Sequence, residues 1–406
     1  MKIAFFSDCF LDLTGGIVTS IKAQKSELER RGHTVYVFSS SYPKTKRELR
    51  GLKKEHVFPV KSCRIIGRGL TPISRRPAII ERELLKTYPE LKDFDVFYIH
   101  YEAGCSIAGL RLGKKLGIRT IQVMHGREDI GEQNLVPLGL KTIVAVLLNW
   151  FHSWYLPHPV KISRDDYLAP TIAAAKMWTL MVNHANFADL VLTPSEHFKQ
   201  KLQAMGVKKT IKVLPNGVSD EFFAPKLKPR TLLPDETMKI IWHSSVSKEK
   251  RIMPILQPLE CVKGKYHLDV YGDGNDLSRA RHYANLHHLN VSFHPATPFA
   301  KIYPKIAASH LDVLVSNGFD TFGMTLIEAE SAGTPAFFVD PDLAEVVPKG
   351  GAVLSSGPSP TAMATALDEL MMNPDRIEQM SKVMLVSRDS VRVSRTVDLL
   401  EKYIKS

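Results

Sequence analysis

Apolar residues in this chain follow two rhythms. Short runs such as KIAFF (2–6) and VYVF (35–38) are apolar throughout, as in strands buried on both faces of a parallel sheet. Between them Ile17, Ile21, Gln24 and Leu28 recur at helical spacing, with Lys, Glu and Arg on the other face and Gly32 as a stop. Strand, glycine turn, helix and strand in that order make a βαβ opening. FDVFYIH (94–100), a helix over 104–116 ending at Gly117, RTIQVMH (119–125) and ADLVLTPS (188–195) continue the alternation. The pattern then breaks over 211–238 into Pro, Asn, Gly and charge, a linker. Beyond it KIIWH (239–243), HLDVYG (267–272), NVSFH (290–294), LDVLVS (311–316) and PAFFVD (335–340) repeat the strand rhythm between helical segments. The expectation is α/β, doubly wound, in two domains, 1–212 and 213–385, with a helical tail, 386–406, reaching back to the first. In such sheets the ligand crevice lies at the carboxyl ends of the strands.

Length agrees, since 406 residues exceed one ordinary core. The amino terminus carries Ser7 and Asp8 inside its apolar run and reads as a strand, not a secretory leader. Cys9, Cys63, Cys105 and Cys261 are far apart, without a CxxC pair, which argues for reduced thiols and a cytoplasmic protein. His282, His287, His288 and His294 lack zinc-site spacing and read as surface residues.

Charge changes the picture more. The chain carries a net +12, and residues 43–76 hold 11 Lys or Arg against two Glu. A solvated basic loop explains this, as does an anionic partner. Among anionic partners a membrane surface is preferred to nucleic acid, because no aromatic-interleaved RNA signature or zinc-finger spacing is present. The segment LKTIVAVLLNWFHSWYL (140–156) is too short to span a bilayer, which takes about 20 residues. It reads as a buried core helix; its alternative, an interfacial helix, rests on Trp150, Trp154 and Tyr155.

Candidate chemistry sits at the strand-to-helix turns. Gly15 and Gly16 open the first helix, where bare backbone N–H groups suit a phosphate, although the spacing is not GxGxxG and a plain tight turn explains it too. YGDGND (271–276) reads as a strand-ending turn, and no Walker sequence occurs. SNGFDTFGMTLIEAESAGTP (316–335) is richer. Its helix start offers the backbone of Phe322, Gly323, Met324 and Thr325 to a diphosphate, Asp320 lies in the loop, and Glu328 is placed to accept from a vicinal diol. HSSVSKEKR (243–251) supplies Lys250 and Arg251, cations suited to a diphosphate, in what is otherwise an ordinary basic turn. His125, ending a strand, is either structural or ligand-facing.

Taken together these segments resemble the retaining glycosyltransferases of the large fourth sequence family. The resemblance rests on TGG (14–16) with ERRGHTVYVF, VMHG (123–126), NFADLVLTPSEHFKQKL, VLPNGVSDEFFAP, SVSKEKR and FDTFGMTLIEAESAGTPAFF, and covers most of the chain. It implies the GT-B fold, two Rossmann-like domains with parallel sheets facing across a cleft. It implies transfer of a hexose from a UDP- or GDP-sugar, with UDP slightly favoured, with retention at the anomeric carbon and without a cofactor or metal. Glu328 would hold the donor's ribose, Asp320 the sugar hydroxyls, and Phe322, Gly323, Met324 and Thr325 the sugar and phosphates through their backbone. Gly15 and Gly16 would meet the donor phosphate, Lys250 would neutralise it, and His125 would lie near the reacting sugar, so that Asp320, Lys250 and His125 form the catalytic set. Two positions depart from the family. Asp320 stands where a Glu is usual, and the usual phosphate-binding Arg falls on Ser245, so that either Arg251 substitutes from a neighbouring position or leaving-group stabilisation is weaker.

The first domain would read the acceptor, and its basic and apolar stretches point to a membrane lipid or a lipid-linked saccharide, with the enzyme peripheral on the inner face of the cell membrane. Two alternatives are a nucleotide-sugar 2-epimerase and a non-catalytic basic nucleic-acid binder.

Overall fold

The computed structural model describes all residues except 10, 12–14, 42–55, 64–72, 75, 137 and 225. The chain forms two compact units, Met1–Pro215 together with Val397–Ser406, and Asn216–Thr396.

The first unit is built on a sheet whose strands are β1 (Lys2–Ser7), β2 (Thr34–Ser41), β3 (Val57–Cys63), β4 (Ile73–Ser74), β5 (Val96–Ile99), β6 (Arg119–Val123), β7 (Leu190–Thr193) and β8 (Ile211–Val213). Their order is β4-β3-β2-β1-β5-β6-β7-β8. All neighbours are parallel except β3 and β4. The order reverses between β1 and β5, which opens the crevice of a doubly wound sheet at their carboxyl ends. Ile3 to Ser7 are fully buried, so the unbroken apolar run of β1 reflects covered faces on both sides.

The second unit carries β9 (Met238–His243), β10 (Tyr266–Tyr271), β11 (Val291–His294), β12 (Leu311–Leu314), β13 (Ala336–Phe338) and β14 (Ala352–Leu354), all parallel, in the order β11-β10-β9-β12-β13-β14. Its reversal lies between β9 and β12. Its core gathers Ile240, Trp242, Leu268, Val270, Val313 and Phe337 with the helical Ile252, Leu256, Leu367 and Met380.

Three expectations need correction. The linker assigned to 211–238 begins with a strand, β8, which three residues are too few to announce by pattern. The basic stretch 43–76 is only partly described, and its described part includes β3, so it is not simply a loop. The apolar segment 140–156 is not a buried core helix. It forms a helix, Lys141–Ser153, that buries Ala145 and His152 and turns Ile143, Val146, Leu147 and Trp150 to solvent, followed by exposed Trp154. Trp150 is 53% and Trp154 57% exposed, and their rings meet edge to face at 4.1 Å. Among the described residues no helix is long and apolar enough to cross a membrane.

The inward side of that helix packs Ala145 and Leu148 against Ala173 and Met177 and also carries a polar group, His152. His152 stands in a chain of rings, Nδ1 to His158 Nε2 at 2.6 Å and Nε2 to His184 Nδ1 at 3.0 Å, and His184 Nε2 reaches Gln122 Oε1 at 3.0 Å. Gln122 Nε2 donates to the carbonyls of Tyr101 and Val123, so its oxygen accepts from His184. Each ring therefore donates from Nε2, and His184 and His152 accept at Nδ1, which makes those two rings neutral. Burial holds His152 well below the usual range and pushes His184 down to about 3.

The tail is helical over Val393–Lys405, after a separate turn at Arg388–Val391. Arg31 Nη1 pairs with Asp398 at 2.8 Å and Glu401 at 3.2 Å, and His33 meets Glu401 at 2.6 Å, which ties the tail to the first unit.

Candidate functional site

At the reversal point of the second sheet, β9 ends in His243 and runs into the loop 244–251. This loop lies against the turn after β10, where Val246 N donates to the Asp273 carbonyl and Asp276 N to the Val246 carbonyl, both at 3.0 Å. A Cβ on Gly272 would sit 2.0 Å from the Ser244 carbonyl oxygen, and one on Gly274 2.2 Å from that of Val246. The glycines of YGDGND therefore let two strand-end loops press together and carry Lys250 into place. Lys250 Nζ bonds Asp320 Oδ1 at 2.5 Å and lies 5.3 Å from the centre of the Phe319 ring.

Asp320 is held by its own loop. Its second oxygen accepts from Ser316 Oγ, while Gly318 N donates to Asp340 Oδ2 at 2.6 Å. The loop enters the helix Met324–Ala332 through Gly323, whose φ of 71° is the left-handed conformation glycine tolerates. No side chain caps this helix and no acid stands in its first turn, so its positive end is open to an anion. The Phe322 side chain packs in an apolar cluster with Val218, Phe223, Ile327 and Val391; Met324 packs against the same cluster, and Thr325 is buried.

Glu328, on the next turn of that helix, has a side chain 13% exposed, with Oε2 3.4 Å from His243 Nδ1. His243 Nε2 lies 2.7 Å from Asp312 Oδ2. Burial pushes Glu328 up to about 7, with His243 and Lys250 pulling against it and Asp312 adding to it. Burial also disfavours charge on His243, yet Asp312 and Glu328 outweigh it and raise that imidazole.

The structure thus brings Lys250, Asp320, Gly323 and Glu328 to one strand-end site. It also adds His243, Asp312 and Ser316, which the sequence patterns leave unmarked. His243 and Ser316 head the motifs HSSVSKEKR and SNGFDTFGMTLIEAESAGTP without being singled out, and Asp312 shows only as a lone acid inside the apolar run LDVLVS. Arg251 is turned differently. Its backbone is left-handed at φ 61°, and its guanidinium reaches the carbonyls of Val315 at 3.4 Å and Pro358 at 3.3 Å.

In the first unit Gly15 and Gly16 are exposed at the start of the helix Gly16–Arg30, Gly15 with open space where a Cβ would stand. Thr14 of the TGG motif lies outside the described residues. Asp8, beyond β1, accepts from Cys105 N at 2.8 Å and Ser106 N at 3.0 Å, capping the Gly104–Leu116 helix. His125, beyond β6, meets His100 at 3.0 Å with the rings stacked. Burial pushes His125 down to about 4 and His100 well below its usual range, so both are neutral at pH 7.

Family models match nearly the whole chain, Glycosyltransferase Family 4 over residues 14–222 and Glycosyl transferases group 1 over 224–383. An alpha-monoglucosyldiacylglycerol synthase of Streptococcus pneumoniae is 22% identical over 355 residues, 82% of this chain and 70% of that protein. The enzyme of the same name from Acholeplasma laidlawii is 30% identical over 125 residues, 31% of this chain and 30% of its own. Among solved structures, the Anabaena protein HepE in complex with UDP and glucose superposes with a TM-score of 0.71 at 15% identity, over 100% of this chain and 99% of that one, a likeness of fold. With two α/β sheets, parallel but for β3 and β4, an open helix end flanked by Lys250, Asp320 and Glu328, and family matches from residue 14 to 383, the chain is a glycosyltransferase and belongs to Glycosyltransferase Family 4.

Proposed function

We propose that the protein transfers a glucose-type hexose from a nucleotide diphosphate sugar, UDP-glucose first, to a lipid acceptor at a membrane surface, with retention at the anomeric carbon and no metal. The observation that carries the donor half is the convergence of Lys250, Asp320 and Glu328 at the uncapped end of the Met324–Ala332 helix.

A diphosphate at that helix end competes with Asp320 for Lys250. As Lys250 turns to the phosphate, Asp320 is released to accept from sugar hydroxyls, while Glu328 accepts from the ribose diol. The bond between the anomeric carbon and the phosphate oxygen then breaks, and negative charge grows on the leaving diphosphate. Lys250 and the helix-end amides stabilise that charge without reorganising, which is why no metal is assigned. In the retaining course the acceptor hydroxyl attacks from the face the phosphate leaves and passes its proton to that phosphate. The roles of Gly15 and Gly16 at the donor phosphate, and of His125 near the reacting sugar, come from the family pattern. Arg251, engaged with two backbone carbonyls, is assigned a lesser part than Lys250.

Two observations support a lipid acceptor. The curated relatives are named for the synthesis of a glucosyldiacylglycerol. The helix Lys141–Ser153 shows solvent an apolar stripe that ends in two tryptophans, the composition of an interfacial helix, on a chain of net charge +12 that suits anionic lipid.

Incubation with UDP-glucose and vesicles containing diacylglycerol is expected to give an α-linked glucolipid by anomeric NMR, and Glu328→Ala is expected to abolish it. A β-linked product overturns retention. Transfer only to soluble sugars overturns the lipid acceptor, and undiminished activity of Glu328→Ala overturns the donor site.

A further inference from the structure

We propose that His243 is a positioning residue for the donor site, a doubly protonated ring that bridges Asp312 and Glu328 and holds Glu328 as an anionic acceptor for the donor's ribose diol. This rests on the donor site proposed above and goes beyond it, since it assigns a role to a residue that does not touch the substrate.

The geometry leaves the ring little choice. His243 is the last residue of β9, and Asp312 lies on the neighbouring strand β12, one residue after the Leu311 that pairs with Ile240. The side chains of His243 and Asp312 are 5% and 1% exposed, so water does not substitute for either partner. Nε2 faces Asp312 and Nδ1 faces Glu328. A neutral imidazole spends its one N–H on the hydrogen bond to Asp312; only the imidazolium also presents an N–H and a positive charge to Glu328, 3.4 Å away. With His243 charged, the three groups sum to one negative charge. With it neutral they sum to two negative charges in a buried place, and the cheapest relief is a proton on Glu328. A protonated Glu328 presents fewer lone pairs to a diol that brings two O–H donors.

The other charges near Glu328 do not replace His243. Lys250, from the loop after β9, is paired to Asp320, which is itself held by Ser316. Glu330, on Glu328's own helix, is turned to Ser390. The imidazolium is therefore the buried cation that keeps Glu328 ionised while Lys250 serves the phosphate.

The test is calorimetric binding of UDP to the full chain over roughly pH 5 to 9. Wild-type affinity is expected to fall on the acid side as Glu328 takes up a proton. In His243→Gln that acid limb moves up by about one pH unit, so affinity drops about fivefold near pH 7 and about tenfold near pH 5, while the two proteins converge at high pH. A loss that is uniform across pH marks His243 as merely structural and overturns the proposal, as does an unchanged profile. Glu328→Gln separates the two ideas: if it binds UDP as tightly as wild type, the donor site itself fails, whatever His243 does. Should His243→Gln not fold, nitrogen-15 NMR of the wild-type imidazole decides. Signals of two protonated nitrogens at pH 7 support the bridge, and those of a neutral tautomer overturn it.

Discussion

Lys250 and Asp320 are paired in the site, and under the proposed reaction an arriving diphosphate separates them. Their side chains are 17% and 12% exposed, which screens the pair too weakly for either to be dismissed as a surface ion pair. If Lys250 carries the leaving-group charge, Lys250→Ala should lower kcat with UDP-glucose by about 10²–10³-fold, the cost of removing one preorganised charge donor. Steady-state kinetics with saturating donor check this, and a fall of less than about tenfold would assign the leaving-group role elsewhere. Both residues were legible because each sits in a short motif with a chemical reason for its spacing. His243 and Asp312 were not, although His243 opens a motif that was weighed. One histidine at a strand end has many structural explanations, and only the pairing of β9 with β12 supplies its two carboxylate partners.

At the scale of the element, the helix Lys141–Ser153 shows what a hydrophobic pattern omits. Ile143, Val146, Leu147 and Trp150 share one face, with Trp154 continuing it, although in the sequence they stand in a nearly unbroken apolar run. Periodicity fixes the existence of an apolar face but not its direction, because a stripe that packs on protein and one that meets lipid have the same spacing. The inward residues decide it: Ala145 and Leu148 pack on Ala173 and Met177, His152 is committed to the ring chain ending at Gln122, and the apolar stripe is left outside. Replacing Trp150 and Trp154 together by Ser is expected to weaken binding to anionic vesicles by roughly tenfold or more, since interfacial affinity follows buried apolar area. The thermal midpoint should not fall, because both rings are more than half exposed. Vesicle sedimentation checks the first and a melting curve the second; intact vesicle binding would remove this helix as the lipid contact.

At the scale of the molecule, the buried histidines link the stability of the first unit to pH. His100, His125, His152 and His184 are all held below their ordinary value by burial. The unfolded chain therefore takes up protons below about pH 6.5 that the folded unit refuses until lower pH. Their contribution is fully present above that value and is lost progressively as pH falls from it toward the folded values, about 4 for His125 and about 3 for His184. Glu328 and Glu330, raised by burial, act in the opposite sense and belong to the second unit. The melting midpoint of the first unit should drop by about 5 °C or more between pH 7 and 5, and the double variant His152→Gln, His184→Gln should show a shallower slope. Equal slopes would take the ring chain out of the acid response.

The sequence by itself determined what short-range order carries: the alternation of strand and helix, the division into two α/β units, and the acids and glycines of the turn from Ser316 to Glu328, because each is written within one turn or one strand. Strand neighbours in a parallel sheet are chosen by crossovers that no local pattern records, so only the tertiary structure placed β9 beside β12 and gave His243 its two carboxylates. The same holds for the outward face of the Lys141–Ser153 helix, which was settled by where His152, His184 and Gln122 found one another.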